Sequence, residues 1–320
     1  MVDPHIGVRL VLVLLFFNMR YVMNAVINMP VAQVATLSSS SILVELNLSY
    51  WSGKKTDRKT SKEVEADKGA TTKALNTQKI LLGDCKEHTA IVKHLAQVRT
   101  WSNGKTLPWS DNGPRLLPAL TMFNYKTMLE EHKKIFEVLV AEFLNAYRSA
   151  IQAAQFSMGS LFNVDDYPDV SEIAGKFAFN YTFTPVPEAG DFRVSIGNQG
   201  LLELQQQYET QYKHRLEDAM KENWSRLNTA LTTMSNQLRV KDVDGATSTG
   251  KLYESTLDGI LELCDLLTEF NLTGDPDLEK ARRDLKMTVQ GIDLKELKKD
   301  DGARLAVKAE LDGILSKFNW

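Results

Sequence analysis

From Leu201 to Leu238 the apolar residues return every three or four positions: Leu204, Tyr208, Tyr212, Leu216, Met220, Trp224, Leu227, Leu231, Met234 and Leu238, with Gln, Glu, Lys, Arg and Asn between them. That spacing puts one apolar stripe on an otherwise wet helix. A second block, from about Pro118 to Met158, repeats the pattern through Tyr125, Met128, Leu129, His132, Ile135, Phe136, Leu139, Val140, Phe143, Leu144, Tyr147, Ile151 and Ala154. A helix of nearly forty residues spans roughly 55 to 60 Å, so it must lie along another long element. The two blocks are therefore expected to pair as an antiparallel, coiled-coil-like hairpin. Between them, Phe177, Phe179, Tyr181 and Phe183 alternate with Ala178, Asn180, Thr182 and Thr184, a strand with one aromatic face. After a turn at Pro185–Gly190, Phe192, Val194 and Ile196 are expected to return as its partner. The fold class predicted is mainly α with a small β element (α+β), the β-hairpin sitting at the tip of the helical hairpin.

Elsewhere the pattern is shorter. Ile42, Val44, Leu46 and Leu48 alternate with Leu43, Glu45, Asn47 and Ser49, which predicts a strand. Between about Ala70 and Val98 the apolar spacing predicts one helix or two, broken at Gly83. Residues 106–118, with three prolines and Asn112-Gly113, read as a stiff connector without regular structure. Residues 239–251 read as a polar linker, and Leu252–Leu272, Pro276–Gln290 and about Leu294–Phe318 as three shorter helices. The expected organisation is a 29–118 unit with strand, basic loop and helices, a 119–238 hairpin with its β insert at about 176–196, the linker, and 252–320 as C-terminal helices. Val8–Phe17 is strongly apolar but too short to span a membrane. Residues 1–28 read as an upstream extension ahead of a start at Met29; a leader signal and a docked helix are the alternatives.

The net charge of −3 and pI near 6.0 exclude a global basic field that would draw the molecule onto nucleic acid or an acidic membrane. Any such contact must be local, and one cluster qualifies: Lys54, Lys55, Arg58, Lys59 and Lys62 follow Tyr50 and Trp51. These cations can meet phosphates, with the two aromatics beside them for stacking; a solvated loop is the plainer reading. If all five engaged phosphates, the salt slope would be roughly −3.5 on single strands and −4.5 on duplex. The aromatic strand face could likewise stack unpaired bases, though such a face more often packs against helices. Cys85 and Cys264 lie far apart, which argues against a disulfide framework and for a reducing compartment.

Gly245–Lys251 matches the spacing of a phosphate-binding loop, but no strand precedes it and Leu252 stands where Ser or Thr must hold Mg²⁺, so it is rejected. Cys85, His88 and His94 share a neighbourhood but lack the second ligand pair of a zinc site. No nucleophile, base or cofactor motif stands at a recognisable spacing. The expectation is a non-enzymatic protein without cofactor or metal.

Four segments carry a resemblance: Ser49–Lys55 (SYWSGKK), Thr106–Pro118 (TLPWSDNGPRLLP), Asp166-Tyr167-Pro168 and Asp191–Val194 (DFRV). Over roughly residues 42 to 240 the chain resembles a family of tailed-phage and integrative-element proteins encoded near MoxR-type AAA+ ATPases, von Willebrand A-domain proteins and recombination genes. The resemblance implies a phage accessory protein of the host cytoplasm, an adaptor with an AAA+ ATPase or another phage protein as partner, or a part in phage recombination or replication. It supplies no catalytic residues. Nucleic-acid binding through residues 50–62, and self-assembly through the hairpin as a virion or scaffold component, are the rival expectations.

Overall fold

A computed structural model describes residues 37–187, 198–246, 248–318 and 320. Residues 1–28 and the expected return strand Phe192–Ile196 lie outside the described residues. The described chain is mostly helical with a small antiparallel sheet, so the α+β class holds. None of its helices is long and apolar enough to cross a membrane.

Strand β1 (Ser41–Ser49) is central. On one side it pairs with β5 (Arg115–Pro118), which pairs in turn with β4 (Leu107–Pro108). On the other it pairs with β6 (Ala178–Pro185), Ile42 opposite Pro185 through to Ser49 opposite Ala178. A separate ribbon joins β2 (Lys54–Thr56) to β3 (Gln78–Ile80), with helix α1 (Arg58–Asp67) between them. Asp57 caps α1, its carboxylate accepting from the amides of Lys59 and Thr60 at 3.1 Å each. Helices α2 (Lys86–Lys105), α3 (Met122–Met158) and the short α4 (Val170–Ala174) complete this half. Then come α5 (Asn198–Leu238), α6 (Glu254–Phe270), α7 (Pro276–Gln290), α8 (Leu294–Leu297) and α9 (Asp301–Lys317).

Strand alternation explains the layering. Val44 and Leu117 point to one face, where they are buried with Ile91, Leu95, Leu129, Phe136 and Phe143 of α2 and α3. Their neighbours Leu43 and Leu116 point to the other, buried with Leu107, Trp109, Ala219 of α5 and Phe270 of α6. A sheet covered on both faces puts apolar residues at adjacent positions, as here. The remaining stripe of α5 packs with α6, α7 and α9 through Leu227, Leu231, Ile260, Leu285 and Leu311.

This arrangement corrects the expected hairpin. The long helices α3 and α5 lie on opposite faces of the sheet, and each stripe is satisfied by other elements: α2 and the sheet for α3, the C-terminal helices for α5. Strand β6, expected at the tip of the helical hairpin, adds to the edge of the sheet beside β1. Residues 106–118 are not an irregular connector: they fold into β4 and β5 around a turn in which Asn112 takes φ 53°. The helix expected from Ala70 starts only at Lys86, after Gly83 at φ 50°. The expected last helix is two, α8 and α9, broken before the Asp300 cap.

Candidate functional site

The basic cluster sits on β2 and α1, and the structure divides it. Lys55 stands directly across the ribbon from Lys79, a like-charge pair that would repel. Both ammoniums converge on Asp166, at 2.8 Å and 3.0 Å, and Asp166 is 8% exposed. Burial pushes the Asp166 carboxyl up, but the hydrogen bonds from Lys55 and Lys79 outweigh it and hold the group below the usual carboxylate range. A depressed carboxyl stabilises the fold above its unfolded pKa and loses that contribution as pH falls through the folded one. We expect Asp166→Asn to lower the urea midpoint at neutral pH, with the gap to wild type closing on acidification; a gap constant with pH would refute the pairing.

Trp51 is core, contrary to the expected stacking role. It is 8% exposed and meets Tyr147 edge-on at 5.8 Å. Its carbonyl bonds to His88 Nε2 at 2.7 Å. Tyr50 is half-buried, with its ring centroid 6.4 Å from that of His88. Lys59 faces Glu63 at 3.9 Å. Lys54, Arg58 and Lys62 remain exposed and outside any ion pair among the described residues. The aromatic strand face is core too: Phe179 is buried, and Phe177, Tyr181 and Phe183 pack against the same cluster.

Two of the four motif segments meet in space, and Asp191–Val194 lies outside the described residues. Lys55 of SYWSGKK binds Asp166 of Asp166-Tyr167-Pro168, whose Tyr167 hydroxyl donates to the Leu81 carbonyl at 2.7 Å. Tyr147, with its phenol pushed to about 12 by burial, donates to the Pro168 carbonyl at 3.0 Å. Trp109 of TLPWSDNGPRLLP is buried against Tyr212, with the Arg215 guanidinium 5.7 Å above its ring. These residues hold the fold together, which accounts for their pattern without a ligand.

His88 and His94 are also structural. His94 Nε2 bonds to the His132 carbonyl at 2.9 Å, and no group of three or more His, Cys, Asp or Glu among the described residues could hold a metal ion.

What the sequence did not disclose is a cleft between the two halves, walled by α2, the start of α3, α5 and α6. It holds two adjoining cavities of about 800 and 500 Å³, which share Trp101, Lys105, Glu262 and Leu266. The Lys105–Glu262 ion pair stands at their boundary. At the larger one, Arg226 of α5 donates to the carbonyls of Asn103, Gly104 and Thr106, closing the C-terminal end of α2. Arg115 donates to Thr106 from the other side; burial, then repulsion from Arg226, lowers its pKa. Arg226 thus ties α5 to the end of α2, while Arg115 braces Thr106 from within the first half. No family model, curated protein or solved structure matches the chain.

Proposed function

We propose that this chain is a non-enzymatic adaptor that works through protein contacts, and that its working surface is the outward face of α3. The observation that carries this reading is the exposure of Phe123 (79%), Ile135 (48%), Val138 (57%) and Phe156 (97%) on that helix. Val138 follows buried Leu129 by nine residues, and Phe156 follows buried Tyr147 by nine, which is about half a turn round the helix axis. Burying such side chains against a partner contributes roughly 1.5–3 kcal/mol each. Spread over about 50 Å of helix, they suit a long element of a partner better than a single pocket. The resemblance supplies the setting, a phage protein in the host cytoplasm, and the expected partner, a MoxR-type AAA+ ATPase. Self-assembly through a coiled-coil hairpin has less support, since α5 packs on the C-terminal helices and the buried side of α3 on α2 and the sheet.

Nucleic-acid binding keeps one observation in its favour, the exposure of Lys54, Arg58 and Lys62. Three engaged phosphates would give a salt slope of roughly −2.1 on single strands and −2.7 on duplex, shallower than five would. The discriminating experiment is co-elution with the ATPase, read by sizing with light scattering. Phe123→Glu combined with Ile135→Glu should abolish the complex while leaving the helical spectrum unchanged. A complex that survives both substitutions, or salt-sensitive DNA binding lost on reversing Lys54, Arg58 and Lys62, would overturn the adaptor reading.

A further inference from the structure

We propose that the contact between α2 and α3 is an acid-operated latch, closed while the His132 imidazole is neutral and released when it takes up a proton. Three of the four described histidines gather on this seam. His88 and His94 of α2 face Phe143 and His132 of α3, with ring centroids 5.6 and 5.4 Å apart. The fourth, His214, is exposed on α5. The His132 ring lies against His94 and against Trp101, the latter at 5.1 Å. Both of its nitrogens are buried, and neither has a hydrogen-bond partner among the described residues. A neutral imidazole carries one donor and one acceptor, so both are left unsatisfied where phenylalanine would bury no polar atom. Packing alone therefore does not account for a histidine here. A proton widens the mismatch: both nitrogens become donors, and the ring gains a charge that burial penalises.

Nothing packed around the ring compensates that charge. Helix α2 presents the uncharged Trp101 and His94, whose Nε2 is engaged with the His132 carbonyl at 2.9 Å. The sheet meets this stretch of α3 through Phe179, Tyr181 and Phe183, and the one titratable group among them, Tyr181, is bonded to Glu130. On α3 itself the charged neighbour is Glu131, which is exposed. Across the cleft, Glu262, Asp265 and Glu269 of α6 share the lining with Trp101. Among the described residues no carboxylate stands at ion-pair distance from His88, His94 or His132, whereas His214 has Glu217 at 3.7 Å. Burial, then repulsion from His94, hold His132 below the usual histidine range, with Glu131 pulling the other way. A group kept neutral by folding binds its proton more readily in the open state, so closure weakens as pH falls below the ordinary histidine value of about 6.5. Asp166 is silent in that window, because a carboxyl held below its usual range loses its contribution only at lower pH. The release is local, since α6, α7 and α9 contain no histidine.

The test is hydrogen exchange of the full chain at about pH 7.5 and about pH 5.5, corrected for the intrinsic pH dependence of exchange. Protection of α2 and the facing turns of α3 is expected to fall up to about tenfold at the lower pH, the most that one excluded proton gives over a pH unit. Helices α7 and α9 should hold theirs. His132→Phe should abolish the fall and keep the protection seen at neutral pH. His132→Gln, neutral but polar, should abolish it too even where it weakens the packing, which separates titration from a structural role. Proton NMR of the wild-type ring needs no variant and should find His132 titrating below the usual histidine range. No acid loosening in the wild type, loosening that persists in both variants, equal loosening of α7 and α9, or titration of His132 at or above about 6.5 would overturn the proposal. Neither substitution touches Phe123, Ile135, Val138 or Phe156, so this inference and the adaptor reading fail separately.

Discussion

Leu231→Asp is expected to unfold the C-terminal half of the molecule. Leu231 is fully buried about two turns before the end of α5, in the cluster formed with Leu227, Met234, Leu257, Ile260, Leu311 and Ile314. A carboxylate there has neither water nor a cation, so it must take up a proton or open the bundle, and removal of the leucyl packing adds to the loss. The combined effect should exceed about 4 kcal/mol, at the rare end of single substitutions. Two controls on the same helix sharpen the expectation. Leu202 is 59% exposed, so Leu202→Asp should change stability by only about 0.5 kcal/mol. The Lys221 side chain is 74% exposed and reaches only Asp218 at 3.4 Å, so Lys221→Ala should be as mild. Urea unfolding followed by circular dichroism reads all three. A Leu231→Asp midpoint close to wild type would mean that α5 does not pack as described.

The same residue shows what periodicity can and cannot disclose. Its stripe correctly marked the face of α5 that is buried, because a 3.6-residue repeat is a property of one helix. It did not mark the partner, because α3 carries an equally good stripe, and pairing the two satisfied both on paper. The clue to the sheet between them lay in short segments. Leu43 beside Val44 and Leu116 beside Leu117 are adjacent apolar pairs, which a strand tolerates only when both of its faces are covered. In residues 106–118 the prolines outweighed that signal in the sequence reading, yet Pro108 and Pro118 stand at strand ends, where proline is permitted. The candidate sites were less legible. Trp51 and Lys55 look alike in sequence as members of a basic aromatic run, but one is core and the other is held by Asp166, more than a hundred residues away. The cleft was invisible because its walls come from α2, the start of α3, α5 and α6, each ordinary by itself.

Arg304→Met is expected to cost roughly 3–5 kcal/mol through lost polar contacts alone. Arg304 is 4% exposed, and its guanidinium donates to three carbonyls: Gln237 at 2.8 Å, Gly250 at 2.7 Å and Leu297 at 3.2 Å. Gln237 lies in the last turn of α5, where unsatisfied carbonyls and the helix dipole favour a cation. The segment expected to be a loose linker is thereby fixed: Gly250 donates to Arg239 at 2.8 Å and accepts from Arg304. Glycine is required at that point, because a Cβ on residue 250 would lie 2.4 Å from the Gln237 carbonyl oxygen. Methionine keeps the packing of the arginine stem but supplies no donor, so one buried and two part-buried carbonyls lose this partner at once. Lysine restores one charge without the planar fork that reaches three acceptors, so Arg304→Lys should fall between the two. Urea unfolding of the three proteins, with hydrogen exchange to locate any loosening at the end of α5, decides the matter. Equal stability of wild type and Arg304→Met would show that water satisfies these carbonyls as well as the guanidinium does.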